Sequence, residues 1–436
     1  MTGNTDADLV VVGSGFTGLW AALQAVADAP GRNVVVVEAE TTGFGASSRN
    51  GGFLEASLTH GLANGLAHWP SEIDVLERLG IENFQAIIDC IEDNNLDVGL
   101  EVTGAIGVAT QTWHLTEVEE SKTMHVEHGQ RADVLDRADV RNRLNSPTYL
   151  AGIFTPDGTA IINPARLAWG LRALAETRGV TFFEDSPVSQ VERLASAMVV
   201  HTPRGRVIAQ KALVATNAYA RPVRRMRRYI VPVYDYVLMT EPLSDTQMAS
   251  LRWQGREGVS DVSSQFHYYR LTTDNRILWG GYDAVYRFNG ALGSQYDQAG
   301  STHVTLANHF FETFPQLEDL RFTHRWGGPI ATTTQFTTTW GTSHDGDLAW
   351  VGGYTGLGVG ASRFGARVAL DLLDGRDTVF TELEMARSKP MPFPPEPFRY
   401  AGIQMTRRAI ARSDRKGGRR GAWLKVLDRF GVGFDS

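Results

Sequence analysis

A single cysteine, Cys90, stands in 436 residues. That scarcity excludes a disulfide framework, a cysteine-rich zinc site and a dithiol redox pair, and it fits a reducing cytoplasm. Long apolar runs are also missing, so no membrane span is expected. The polar start from Met1 to Ala7 does not read as a signal peptide. Neither sign of charge dominates: 42 Lys and Arg against 49 Asp and Glu leave −7, which gives no basic field for nucleic acid. No internal repeat and no extended low-complexity segment is visible. His125 and His128 lie three apart, but no third ligand motif joins them and no metal site is expected. The Ser47-Ser48 pair lacks a hydrolase's histidine and aspartate arrangement, and no Walker lysine follows Gly45. An apolar content of 42% is ordinary for a soluble globular protein, and the length suggests two domains.

What is present begins at Asp8. The run D-L-V-V-V-G-S-G-F-T-G-L-W reads as a buried strand followed by Gly13, Gly15 and Gly18 in G-x-G-x-x-G spacing. Gly13 permits a tight turn, Gly15 admits a pyrophosphate to the backbone, and Gly18 allows close packing of the next helix. Leu19, Ala22, Leu23 and Val26 mark one face of that helix, whose N-terminus turns free N–H groups toward a phosphate. The β-branched run Val34 to Val37 predicts a second buried strand, with Glu38 at its end. Glu38 follows Gly18 by 38 − 18 = 20 residues, the spacing at which an acid reaches a ribose hydroxyl. The unit predicts a dinucleotide site.

The next stretch, T-T-G-F-G-A-S-S-R-N-G-G-F from Thr41 to Phe53, is too rich in Gly, Ser and Asn for a long regular element. It offers backbone N–H groups, hydroxyls, a guanidinium and a carboxamide beside the pyrophosphate. Together, V-V-G-S-G-F-T-G-L and G-A-S-S-R-N-G-G resemble the FAD-dependent amine and D-amino acid oxidoreductases. This DAO family includes glycine, sarcosine and gamma-glutamylputrescine oxidases. The resemblance runs from about Asp8 to Gly375. G-T-A-I-I-N-P-A-R-L-A-W-G-L (Gly158 to Leu171) is similar to the family's return into an FAD-domain helix. F-F-E-D-S-P-V-S-Q-V (Phe182 to Val191) resembles the strand whose valine, here Val188, meets adenine through its main chain. K-A-L-V-A-T-N-A-Y (Lys211 to Tyr219) resembles the strand and turn behind the dinucleotide. D-L-A-W-V-G-G-Y-T-G-L-G-V-G-A-S-R (Asp347 to Arg363) resembles the second flavin-contacting segment.

The resemblance implies an α/β + β fold in which a Rossmann-like FAD-binding domain of glutathione-reductase type interleaves with an antiparallel-sheet substrate domain. The FAD domain would take residues 1–90, 155–220 and 326–376, and the substrate domain 91–154 and 221–325. A linker and helical tail would occupy 377–436. Residues 99–110, 231–240 and 266–282 read as strands of the substrate sheet, and 115–143 as helical. The cluster Arg221 to Arg228 reads as a solvated connection. The basic tail with Ile403, Ile410, Trp423, Leu424 and Leu427 reads as amphipathic helices packing on the body or on a second subunit.

The resemblance further implies FAD held by Gly13, Ser14, Gly15, Phe16, Thr17, Gly18, Glu38, Ala39, Ser47, Ser48, Arg49, Asn50, Gly51, Gly52, Val188, Thr216, Asn217, Gly353, Tyr354, Gly356, Leu357, Gly358 and Val359. The cofactor is expected to be non-covalent, because no cysteine follows Cys90 and Asn50 stands where a linking histidine might be sought. A flavin performs the redox step, so the protein supplies position and electrostatics. Candidate pocket residues are Tyr268, Tyr269, Arg270 and Trp326. Alternation puts Phe266, Tyr268 and Arg270 on one face of their strand and His267, Tyr269 and Leu271 on the other. Which face lines the pocket stays open.

In the α-amino acid oxidases a G-L-R-P segment supplies a carboxylate-clamping arginine. The matching stretch here, R-W-G-G-P-I-A (Arg325 to Ala331), has none after the glycines, and Trp279 occupies the apparent place of an oxygen-promoting lysine. The expected reaction is oxidation of the C–N bond of a primary or secondary small-molecule amine without an α-carboxylate to an imine by hydride transfer to flavin, with O2 or another electron acceptor as second partner. A D-amino acid or glycine-type oxidase or dehydrogenase, and a non-catalytic flavoprotein, are the alternatives. The aromatic hydroxylases are disfavoured because V-G-G-Y-T-G replaces their G-D-A-A-H-type segment.

Overall fold

The computed structural model describes residues 1–220 and 223–432. Arg221 of the basic cluster, Pro222 and residues 433–436 of the tail lie outside them. Glycine and valine patterning does set the first sheet. Val34–Val37 is a four-residue strand with every side chain at 1% exposure or less, each contributing about 1.5–3 kcal/mol by burial. It pairs in parallel with Gly3–Val12 on one side and Thr181–Phe183 on the other. Gly3–Val12 pairs in parallel with Gly205–Val214, and that strand's end with Leu348–Gly352. Helices Phe16–Asp28 and Gly358–Asp374 pack together over this sheet. Antiparallel strands, Gln190–Leu194 with Ala197–Thr202 and Thr339–Ser343 with Leu348–Gly352, extend it. The sheet is therefore mixed around a parallel centre.

The second large sheet contains Val231–Thr240, His267–Leu271 and Ile277–Gly281, with Phe322–Thr332 along one edge of Val231–Thr240. Its apolar back packs against helix Gly300–Thr313 through Tyr269, Trp279, Phe310 and Phe314. The expectation of an antiparallel sheet needs one correction, because Gly258–Asp261 runs parallel to Ala105–Ala109. The long chain between them provides the crossover that parallel pairing requires.

Three further expectations change. Residues 99–110 form two strands, Glu101–Val102 and Ala105–Ala109, in different sheets. Gly104 at φ +71 makes the break, where a Cβ would come 2.5 Å from the Thr155 carbonyl oxygen. Within 115–143 a strand, Asp133–Leu135, separates helices His114–Glu127 and Arg137–Arg143. Val188 lies on no strand: the chain bends between Thr181–Phe183 and Gln190–Leu194, where Asp185 adopts φ +48 and Pro187 follows. A small third sheet, Phe53–Glu55 with Thr159–Ile161 and Glu101–Val102, was not expected.

The tail helices Phe398–Arg415 and Ala422–Arg429 pack on the body. Asp414 accepts the Gln265 N–H, Arg407 pairs with Asp283, and Leu424 is buried. Among the described residues no helix is long and apolar enough to cross a membrane, and no group of three His, Cys, Asp or Glu gathers as a metal site. His125 instead bonds the Ser121 carbonyl, and His128 faces Asp74.

Candidate active site

Two glycine turns end the parallel strands Gly3–Val12 and Leu348–Gly352, both paired to Gly205–Val214, and open the two packed helices. At the first, Gly13 has φ +103, and a Cβ there would meet the Ala215 carbonyl at 3.0 Å. A Cβ at Gly18 would fall 1.9 Å from the Gly13 carbonyl oxygen, so only glycine allows this helix to sit so close. The helix starts at Phe16 with no side-chain cap and no acid in its first turn. Its N–H groups and dipole thus favour an anion. Phe16 N–H reaches Ser47 Oγ at 2.9 Å, and Ser14 N–H reaches Glu38 Oε2 at 2.8 Å. The other Glu38 oxygen accepts the Glu40 N–H at 3.1 Å. The structure therefore brings the glycine turn, the acid and the serine loop together, as their spacing predicts.

The second turn repeats the arrangement. Gly353 at φ +88 donates its N–H to Asn217 Oδ1 at 2.9 Å. Gly356 at φ +100 faces open space. Helix Gly358–Asp374 starts with Leu357 as an uncapped N-terminus and no acid in its first turn. Thr17 Oγ1 donates to the Tyr354 hydroxyl at 2.8 Å and ties the two turns together. The hydroxyl oxygens of Ser48 and Thr216 are buried without a partner. Two uncapped helix starts, an acid at the second strand's end and two orphaned hydroxyls are a donor set that fits FAD.

Several expected contacts take another form. Arg49 turns away from the first turn: it pairs with Asp297 at 2.6 Å and lies 4.7 Å from the Phe44 ring. Asp297 is remote in sequence, so nothing near Arg49 announced it. Asn50 spends its carboxamide on its own loop, accepting Gly52 N–H and donating to Ala46 and Ser47 carbonyls. The Tyr354 side chain is buried, which leaves its main chain to face a ligand. Val188 packs its side chain into the core beside the parallel sheet, and Ala39 is exposed.

Across from the Arg49–Gly52 loop stands the second large sheet. The Tyr268 ring lies against Gly51 and Gly280, where a Cβ at either would come within 2.6 Å of it. Arg270, 5% exposed, donates through Nε to the Gly51 carbonyl and through Nη1 to the Leu271 carbonyl. Trp326 donates its indole N–H to the Arg49 carbonyl at 2.8 Å. Tyr268, Arg270 and Trp326 thus converge on one loop. A cavity of about 460 Å³ opens beside it, lined by Asn50, Ile162, Met239, Arg270, Leu278 and Trp326.

Tyr269 does not belong to this group. Its hydroxyl meets that of Tyr149 at 2.5 Å and its ring stacks on Trp279 at 4.5 Å. Alternation sends both rings to the apolar back of the sheet. Trp279 consequently cannot stand in for a lysine facing the loop; Leu278 and Gly280 occupy that face.

Asp235 was missed. It is the lone charged residue of V-P-V-Y-D-Y-V-L-M-T, and that isolation was the available signal. Tyr268 donates its hydroxyl to the Asp235 carboxylate. Burial pushes the carboxyl up to about 6 against the opposing effect of that bond. Burial, then the Asp235 charge, holds the Tyr268 phenol well above its ordinary range, and burial lowers the Arg270 guanidinium to about 10.

Known proteins resemble this chain in sequence and in fold. Residues 8–372 match the DAO family, described as FAD dependent oxidoreductase. Gamma-glutamylputrescine oxidoreductase of Escherichia coli is 31% identical over 383 residues, 84% of each chain. A probable oxidoreductase, OrdL, of Haemophilus influenzae is 28% identical over 85% of this chain and 84% of its own. Glycine oxidase from Geobacillus kaustophilus superposes with a TM-score of 0.74 at 19% identity, covering 88% of this chain and 99% of that one. L-proline dehydrogenase from P. horikoshii gives 0.69 at 16% identity, covering 87% and 96%. At these identities the two structures speak for the fold.

Proposed function

The chain belongs to the DAO family of FAD-dependent oxidoreductases, and from that premise we propose that it oxidises the C–N bond of a primary or secondary amine to an imine. The observation that carries the reading is the convergence of Tyr268, Arg270 and Trp326 on the Arg49–Gly52 loop, which Ser47 joins to the first glycine turn. FAD supplies the hydride acceptor when bound. Ser14 to Gly18, Glu38, Ser47, Ser48, Thr216 and the Gly353 to Val359 turn would hold it without a covalent bond. The wall of Trp326, Met239 and Leu278, with Tyr268 on the same sheet face as Arg270 and Leu278, would orient the amine and exclude water, which favours the neutral amine over ammonium. O2 or another acceptor would then take the electrons. The two large sheets, drawn from alternating parts of the chain, support a reading as interleaved FAD and substrate domains.

We assign an amine without an α-carboxylate. Gly327 and Gly328 lie opposite Tyr236 and Asp235, in the stretch where the α-amino acid oxidases carry their clamping arginine. One observation favours the second reading, an amino acid oxidase or dehydrogenase: Arg270 is buried beside the cavity and bonds carbonyls rather than a carboxylate. An unsatisfied substrate carboxylate there would find a charge-assisted partner. Anaerobic flavin reduction rates for D- and L-amino acids, glycine and sarcosine, set against alkyl, aryl and polyamine substrates, test the choice. Faster reduction by an α-amino acid would overturn the assignment.

A further inference from the structure

Resting on the amine-oxidation reading, we propose that Tyr268 and Asp235 form the path by which the bound substrate ammonium loses its proton. The proton passes from the substrate nitrogen to the Tyr268 oxygen as the phenol proton passes to the Asp235 carboxylate. One N–H bond breaks, one carboxyl O–H bond forms, and the phenol ends as it began. No oxidant or reductant is involved. The neutral amine left behind holds the lone pair that C–N oxidation requires.

Position supports this. The Tyr268 ring is fixed between Gly51 of the loop and Gly280 of the neighbouring strand, contacts that any side chain at either glycine would abolish. Its one proton already goes to Asp235, so its oxygen keeps lone pairs free to accept an N–H. Phe53 meets the ring edge-on at 5.9 Å and closes another side.

Asp235 is set up as an acceptor and not as half of an ion pair. Besides Tyr268, the backbone N–H groups of Tyr236 and Gly281 bear on it, and the nearby charge of Asp283 opposes its ionisation. Asp283 is itself paired with Arg407. Arg270 acts on Tyr268 from the same strand, and the Arg49–Asp297 pair lies beyond Gly328, the residue opposite Asp235. Burial holds the carboxyl near 6, so above that pH it is ionised and able to receive a proton. A phenol held far above its usual range relays a proton without accumulating as phenolate. Tyr268 shares its strand face with Arg270, which lines the cavity, and would touch a substrate seated against that face, whereas Asp235 acts through it and is a positioning residue.

The test uses FAD-loaded wild type, Asp235→Asn, Asp235→Glu and Tyr268→Phe. For an amine that reduces the wild type, the anaerobic flavin-reduction rate is followed from pH 5 to 10. The wild-type rate is expected to rise through about pH 6. In Asp235→Asn and Tyr268→Phe the rise should move upward by two pH units or more, toward the amine's own value of about 9–10, and Asp235→Glu should bring it back. A second readout does not depend on turnover: difference infrared titration should show a buried carboxyl C=O band that titrates near pH 6 and is missing in Asp235→Asn. Should the asparagine variant fail to fold, Tyr268→Phe carries the pH test alone. An unmoved profile in Tyr268→Phe or Asp235→Asn would overturn the proton path and leave amine oxidation standing. A wild type that no amine reduces would overturn the amine reading, and the path with it.

Discussion

Replacing Asp235 by Asn should change how stability depends on pH, in a direction that follows from burial. Folding raises the carboxyl from an ordinary 3.8 to about 6, which corresponds to about 3 kcal/mol. Because the folded state holds the proton more tightly, this stabilisation is complete below the unfolded value. It is lost as pH rises through about 6. Integrated between pH 4.5 and 7.5, about 2 kcal/mol of it should disappear in the wild type and none in Asp235→Asn. With an unfolding entropy of roughly 2.1 cal/mol/K per residue over a chain this long, that amounts to about 2 °C in Tm. The assay is thermal unfolding of both proteins at the two pH values, with FAD in equal excess. The wild type should fall relative to the variant as pH rises. A constant difference, or a variant that loses ground at high pH, would show that Asp235 is not a carboxyl with a raised value.

Three further outcomes follow from the site. Glu38→Ala should weaken FAD binding by roughly 1–3 kcal/mol, the cost of leaving polar partners unpaired, measurable by equilibrium titration of the apoprotein; an unchanged Kd would remove Glu38 from the site. Gly18→Ala places a Cβ 1.9 Å from the Gly13 carbonyl oxygen, so it should destabilise the protein by about 1–3 kcal/mol and lower its FAD content, read from Tm and from the visible absorbance of the purified protein. Arg270→Ala removes the bond to the Gly51 carbonyl and should slow anaerobic flavin reduction roughly tenfold for all amines alike; a loss confined to carboxylate-bearing substrates would instead identify Arg270 as their clamp.

Much of the first glycine turn was legible because it is local. Gly13, Gly15, Gly18 and Glu38 lie within one turn–helix–strand unit whose geometry their spacing dictates, and Val34 to Val37 have no alternative to burial. The approach of Ser47 to that turn was readable for the same reason. The substrate side depends on partners far away in the chain. Nothing within His267–Leu271 says which face meets the loop; the apolar helix Gly300–Thr313 takes Tyr269 and Trp279, and the glycines at 51 and 280 receive Tyr268. Arg49 could not be aimed without knowing that Asp297 lies across from it. Asp235 stayed hidden because its meaning comes from a phenol two strands away.

In the proposed reaction an amine delivers its electrons to FAD bound at the two glycine turns. The most direct measurement mixes the FAD-loaded protein anaerobically with a panel of primary and secondary amines, follows loss of the oxidised flavin's visible absorbance, and quantifies the carbonyl product released on hydrolysis of the imine. Bleaching by at least one amine lacking an α-carboxylate is expected, with one carbonyl formed per flavin reduced. A protein that purifies without FAD and cannot be reconstituted, or one whose flavin no amine bleaches, would contradict it.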